Sequence, residues 1–177
     1  MNKLNKILLL LLVITSTNCE RDDICAEGTL TTPQLVINFN NVTSPEDSKN
    51  VVALTVTPLD DMGNDLPSIL TSSTVNTISV PLRIQDETET DPITTSYKLI
   101  KNAGSETEEN TDIINITYTT EFIYVSRACG FRSIFNLDPN TQTAFNVDVD
   151  GDNWILSFNI DNFTIDNENE AHITIFH

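Results

Sequence analysis

NITYTTEFIYVSRACGFRSIFNL, residues 115–137, is the stretch on which the fold turns. Ile116, Tyr118, Thr120, Phe122 and Tyr124 recur with period two, the repeat of a strand whose successive side chains point to opposite faces. Ile114, Thr117, Thr119, Ile123 and Val125 fall on the other face after a one-residue change of phase. Apolar groups on both faces near its end predict a central strand. SRACG then interrupts the pattern, with Gly130 suited to a turn or bulge. A second apolar run, Phe131–Asn136, returns as the next strand. Arg127 and Arg132 flank Cys129 in a chain with nine basic residues. Salt bridges to neighbouring acids are the expected role for them; an anion or partner site is the alternative.

Working outward, the same period-two pattern, rich in β-branched and aromatic residues, predicts strands at 35–39, 51–57, 77–84, 94–100, 113–126, 131–136, 144–149, 154–160 and 171–176. TSPEDSKN, DDMGNDLP, DETETDP, NAGSETEEN and LDPNTQT separate them with turn chemistry. No long 3.6-residue stripe occurs. Many short strands joined by turns predict an all-β fold: a single antiparallel β-sandwich, immunoglobulin-like or related, with acidic loops. The acidic runs 86–91 and 106–112 read as solvated loop tips. A length of 177 residues fits one such domain and not two.

The N-terminus has a different character. Lys3 and Lys6 form a basic start, Ile7 to Ile14 an apolar run, and Thr15 to Asn18 a small, polar approach to Cys19. This is the pattern of a secretory signal. The run is too short to cross a bilayer, which takes roughly 20 apolar residues. A signal ending directly at a cysteine resembles a bacterial lipoprotein signal, in which Cys19 is acylated and becomes the new N-terminus. Asn18 stands where Gly, Ala or Ser is usual, and ordinary cleavage with Cys19 as a disulfide partner is the alternative. The predicted organisation is a lipoprotein signal over 1–18, a short acidic tether over 19–25 and the β-sandwich over 26–177. CERDD, with Glu20, Arg21, Asp22 and Asp23 after the cysteine, resembles the export signal of Bacteroidota surface lipoproteins. The resemblance implies a protein held on the outer membrane by its lipid, with the cell surface favoured over the periplasmic face.

Two cysteines then remain, Cys25 and Cys129. An exported pair in an oxidising space is expected to form a disulfide. Six residue steps from Cys19 to Cys25 allow a tether of at most about 20 Å. The formal charge of −17 becomes two units more negative once residues 1–18, which carry two lysines and no acid, are removed. Such a chain has no clustered Lys or Arg with which to hold nucleic acid.

One stretch is metal-like. In NVDVDGDNW, Asn146, Asp148 and Asp150 alternate, Gly151 comes sixth, and Asp152 could offer its carbonyl, as in the first half of a calcium loop. Ser157 stands where the bidentate carboxylate would be needed. A hairpin with Asp150-Gly151 as its turn is therefore expected, leaving room for weak calcium binding at its tip. No other cofactor is expected. His172 alternates with apolar neighbours as an outward strand residue would. No nucleophile elbow, His-Glu-x-x-His or phosphate loop occurs, so no catalytic residues are assigned and a non-enzymatic role is expected.

CERDDIC, TLTTPQLVINF, YVSRACGFRSIFNL and NENEAHITIF together resemble an uncharacterised Bacteroidota lipoprotein family, domain of unknown function 6452. The resemblance implies an exported, lipid-anchored all-β protein of the cell envelope, an accessory or interaction module beside an outer-membrane β-barrel partner. A surface lipoprotein that binds a glycan or a divalent cation is the alternative function.

Overall fold

The computed structural model describes residues 24–177. The proposed signal peptide, Cys19 and the Glu20, Arg21, Asp22, Asp23 segment lie outside them. The described chain forms two units. One consists of residues 24–29 with Tyr124–Phe131, and the larger consists of Leu30–Ile123 with Arg132–His177.

Among the described residues there are twelve strands and one helical turn: β1 (Leu35–Asn41), β2 (Ser44–Ser48), β3 (Val51–Pro58), β4 (Leu70–Val75), β5 (Thr77–Val80), β6 (Ile93–Lys101), β7 (Asn110–Ser126), β8 (Gly130–Leu137), α1 (Thr141–Ala144), β9 (Phe145–Val147), β10 (Ser157–Ile160), β11 (Thr164–Ile165) and β12 (Ile173–Phe176). They form two sheets. The first runs β10-β12-β1-β2, with β5 also on β1; the second runs β11-β8-β7-β6-β3-β4, with β9 also on β7. The fold is an all-β sandwich, as expected.

Side-chain alternation explains why the sheets face each other. Leu35, Ile37 and Phe39 of β1, Ile78 and Val80 of β5, and Ile173 and Ile175 of β12 point inward from the first sheet. Leu54, Val56, Tyr97, Leu99, Ile114, Ile116, Tyr118 and Phe135 meet them from the second, in one continuous core. Each fully buried Leu, Ile or Phe contributes roughly 1.5–3 kcal/mol relative to exposure. Phe145 of β9 and Phe158 of β10, one from each sheet, pack edge to face with centroids 4.7 Å apart.

Four expectations are corrected. The sandwich is not wholly antiparallel, because β1 and β12 run parallel, with Ile37 opposite Ile173 and Phe39 opposite Ile175. Ile114 shares the inward face of Ile116 and Tyr118, so the face change expected there does not occur. TSPEDSKN contains β2, an edge strand exposed along its whole length. The hairpin expected at Asp150-Gly151 is absent: β9 pairs with β7 and β10 with β12, so residues 148–156 cross from one sheet to the other. Val149, the last residue of the strand predicted over 144–149, is accordingly exposed in this crossing. The predicted central position of the long strand is observed, since β7 has β6 on one edge and β8 and β9 on the other.

Candidate functional site

Cys25 and Cys129 are disulfide-bonded, with Cα atoms 4.9 Å apart across 104 residues of sequence. The bond sits at the turn joining β7 to β8. Arg127, Ala128 and Cys129 make that turn, and Gly130 follows at φ +70°, a left-handed conformation that glycine adopts without steric cost. The Ser126 hydroxyl accepts the Cys129 N–H at 3.1 Å and steadies the turn. Tyr124 and Phe131 face each other on the two arms, rings edge to face at 5.4 Å, and both are exposed. Arg127 is exposed too, whereas Arg132 donates to the Asp166 carbonyl at 2.8 Å. Among the described residues neither arginine is in a salt bridge, which corrects the role expected for them.

The larger unit holds a cleft of about 770 Å³. Pro58 at the end of β3 and the loop after it (Leu59, Asp60, Asp61, Leu66) form one wall and residues 81–83 another, with Thr94 to Tyr97 of β6 between them. Asp60 holds its loop by accepting the Met62 and Asn64 N–H groups and the Asn64 amide, and these bonds, the Asn64 side chain first, lower its pKa. Arg83 reaches across to Asp61 at 2.5 Å, an exposed pair of small energetic weight that spans the mouth. The Tyr97 hydroxyl donates to the Pro81 carbonyl, and burial pushes its pKa up, so it stays protonated. Tyr97 is buried, so the cleft presents no exposed aromatic face.

The four residues singled out as metal-like do not assemble as a cation loop. The Asn115 amide donates to the side-chain oxygens of Asn146 at 3.0 Å and Asp148 at 2.7 Å. Asp150 accepts the Asp152 N–H, and the Asp152 carbonyl accepts the Asn110 amide at 2.7 Å. Protein donors therefore already hold these oxygens. No three His, Cys, Asp or Glu groups converge on a metal position among the described residues.

Two polar groups missed at the level of sequence sit in the core. Asp112, expected in a solvated loop tip, is 1% exposed. Its Oδ2 accepts the Ile155 N–H at 2.8 Å, tying the segment that crosses between the sheets to β7. Burial raises its pKa against the opposing effect of those hydrogen bonds. His172, expected to face outward, is fully buried, and its Nδ1 accepts the Val36 N–H at 3.0 Å. His177 packs edge to face on Phe39 and Trp154. Burial lowers the pKa of both histidines, which favours the neutral ring. These contacts fasten structure: Asp112 and His172 each accept a backbone N–H from a distant segment.

No curated protein and no solved structure matches the chain. A family model, described as a family of unknown function (DUF6452), matches residues 53–177, from within β3 to the last residue and including Cys129. CERDDIC and TLTTPQLVINF, counted above in the resemblance, precede the matched region. On a match over more than half its length, the chain belongs to the family of unknown function DUF6452.

Proposed function

We propose that the protein is a non-enzymatic outer-membrane lipoprotein, anchored by lipid on Cys19, that serves as an accessory or interaction module beside an envelope β-barrel partner. One observation carries this reading. The apolar leader ends at a cysteine, and six residues later a second cysteine is bonded into the β7–β8 turn. An oxidised pair fits an exported protein, and its position leaves Cys19 as the odd cysteine available for acylation. The tether, Glu20, Arg21, Asp22 and Asp23, supports display at the cell surface.

The intact mass of the mature protein tests the anchor. It should correspond to a chain beginning at Cys19 with added acyl groups, and an unmodified chain would end the proposal. Crosslinking in intact cells, followed by purification of this chain, tests the partner: recovery of an envelope β-barrel protein is expected, and recovery of none counts against it. Protease access on whole cells decides the leaflet, since shielding of the domain would refute surface display.

The cleft supports a second reading, a ligand-binding lipoprotein. Its mixed lining, apolar at Leu59, Leu66, Pro81 and Leu82 and polar at Thr94, Thr95, Ser96, Asp60 and Arg83, matches the general make-up of small-molecule sites. Without an exposed aromatic it suits a small polar ligand better than a stacked sugar ring. Saturable binding that Arg83→Ala weakens would favour this reading over the first.

A further inference from the structure

The end of the β7–β8 hairpin carries apolar side chains that a soluble turn does not need. Ile24 is 82% exposed, Tyr124 57% and Phe131 60%, all in the small unit that the disulfide holds together. Isolated exposed apolar residues are unremarkable, but here two aromatic rings touch each other at the extremity of one hairpin. The segment Tyr124–Phe131 contains Arg127 and no acid, in a chain with 26 acids. Interfacial aromatics and a basic side chain are the composition that settles at the junction of lipid headgroups and acyl chains. The covalent structure supplies the reason for that junction. Cys129 of this turn is bonded to Cys25, and six residues before Cys25 stands Cys19, within about 20 Å at full extension.

The geometry points to the β7–β8 turn as a membrane-contact element: Tyr124 and Phe131, with Ile24 and Arg127, rest in the interfacial layer of the bilayer that holds the lipid on Cys19. The inference rests on the acylation of Cys19 proposed above. The acids that flank Cys25 in sequence, Glu20, Asp22, Asp23 and Glu27, keep the contact from depending on anionic lipid. The apolar rings supply the attraction, and Arg127 meets phosphate. In this arrangement the disulfide couples the turn to the anchor, so the turn meets the bilayer each time the lipid inserts.

The test uses the full chain, processed in cells and reconstituted in phosphatidylcholine vesicles whose acyl chains are brominated near the headgroup. The chain has a single tryptophan, Trp154, which is buried, so Phe131→Trp adds one exposed fluorophore and Tyr124→Trp is an independent second. Both new signals should be quenched severalfold while Trp154 in the parent protein is not. Reducing the Cys25–Cys129 bond should weaken that quenching without releasing the protein from vesicles. Protein that floats with the vesicles but shows no quenching at either position would overturn the inference and leave the lipid anchor standing. A turn reserved for a protein partner would give that result. Parent protein that fails to float would overturn the anchor and this inference together. Quenching undiminished by reduction would overturn the coupling assigned to the disulfide.

Discussion

Replacing Cys129 with serine removes a crosslink that closes a loop of 104 residues, from Cys25 in the segment preceding β1 to the turn after β7. In the chain-entropy relation a loop of that size is worth roughly 4.7 kcal/mol at 25 °C, and native disulfides in secreted domains typically cost 2–5 kcal/mol to remove. The folded state loses little by comparison, because Cys25 is exposed and Cys129 only half-buried, so no core cavity opens. The effect therefore lies mainly in the unfolded ensemble, which becomes larger and exposes more surface. Urea unfolding followed by Trp154 fluorescence should show a loss of about 2–5 kcal/mol together with a steeper denaturant dependence. Cys25→Ser, Cys129→Ser and the double variant should behave alike, since each removes the same bond. A loss below about 1 kcal/mol with an unchanged slope would refute this reasoning, because the crosslink would then constrain nothing that the unfolded chain does not already restrict.

His172→Leu leaves the buried Val36 N–H without its acceptor, and should cost about 1–3 kcal/mol in the same assay. Burial depresses the pKa of His172 and His177 in the folded state. Their stabilising contribution is therefore complete above the unfolded value of about 6.5 and is lost as pH falls through the folded values. Urea midpoints should accordingly fall between about pH 7.5 and about pH 5.5, less steeply in His172→Leu, and a flat profile would contradict the assignment. Asp112, raised by burial, acts in the opposite sense: its contribution is complete below its unfolded value and declines as pH rises through the folded one. Phe135→Ala removes a fully buried ring packed edge to face on Tyr118 at 5.3 Å, and should cost about 3–5 kcal/mol by thermal or chemical unfolding.

Strands whose inward face is apolar were legible because burial writes itself into alternation. Leu35, Ile37 and Phe39, or Ile173 and Ile175, leave no other face for the core. β2 was not legible, since SPEDS at the edge of a sheet is exposed throughout and needs no apolar face to pair with β1. The bond between Cys25 and Cys129 is expected once the leader is read as an export signal and Cys19 is set aside for lipid, because the two cysteines left over then make a pair without any geometry. The cleft could not be read in this way. Its walls come from the loop after β3, residues 81–83 and β6, which only the topology brings together.

The stretch from Asn146 to Trp154 shows why a local pattern can mislead. Asp-Gly between apolar runs is the strongest short-range hairpin signal, and Gly151 does take a left-handed conformation, at φ +101°. The turn forms; the hairpin does not. Asn153 donates to the Asp148 carbonyl at 2.7 Å and closes the bend locally, so the strands on either side need not pair with each other. Asp112 then takes the Ile155 N–H, and the Trp154 indole approaches the Leu99 carbonyl at 3.4 Å. Both partners come from the sheet that the chain is leaving. A buried carboxylate 43 residues earlier in the sequence thus fixes the segment that leads into β10. Asp112 is therefore better understood as the clasp of the sheet-to-sheet crossing than as one more acid in a chain rich in acids, because it alone of the run 106–112 is buried.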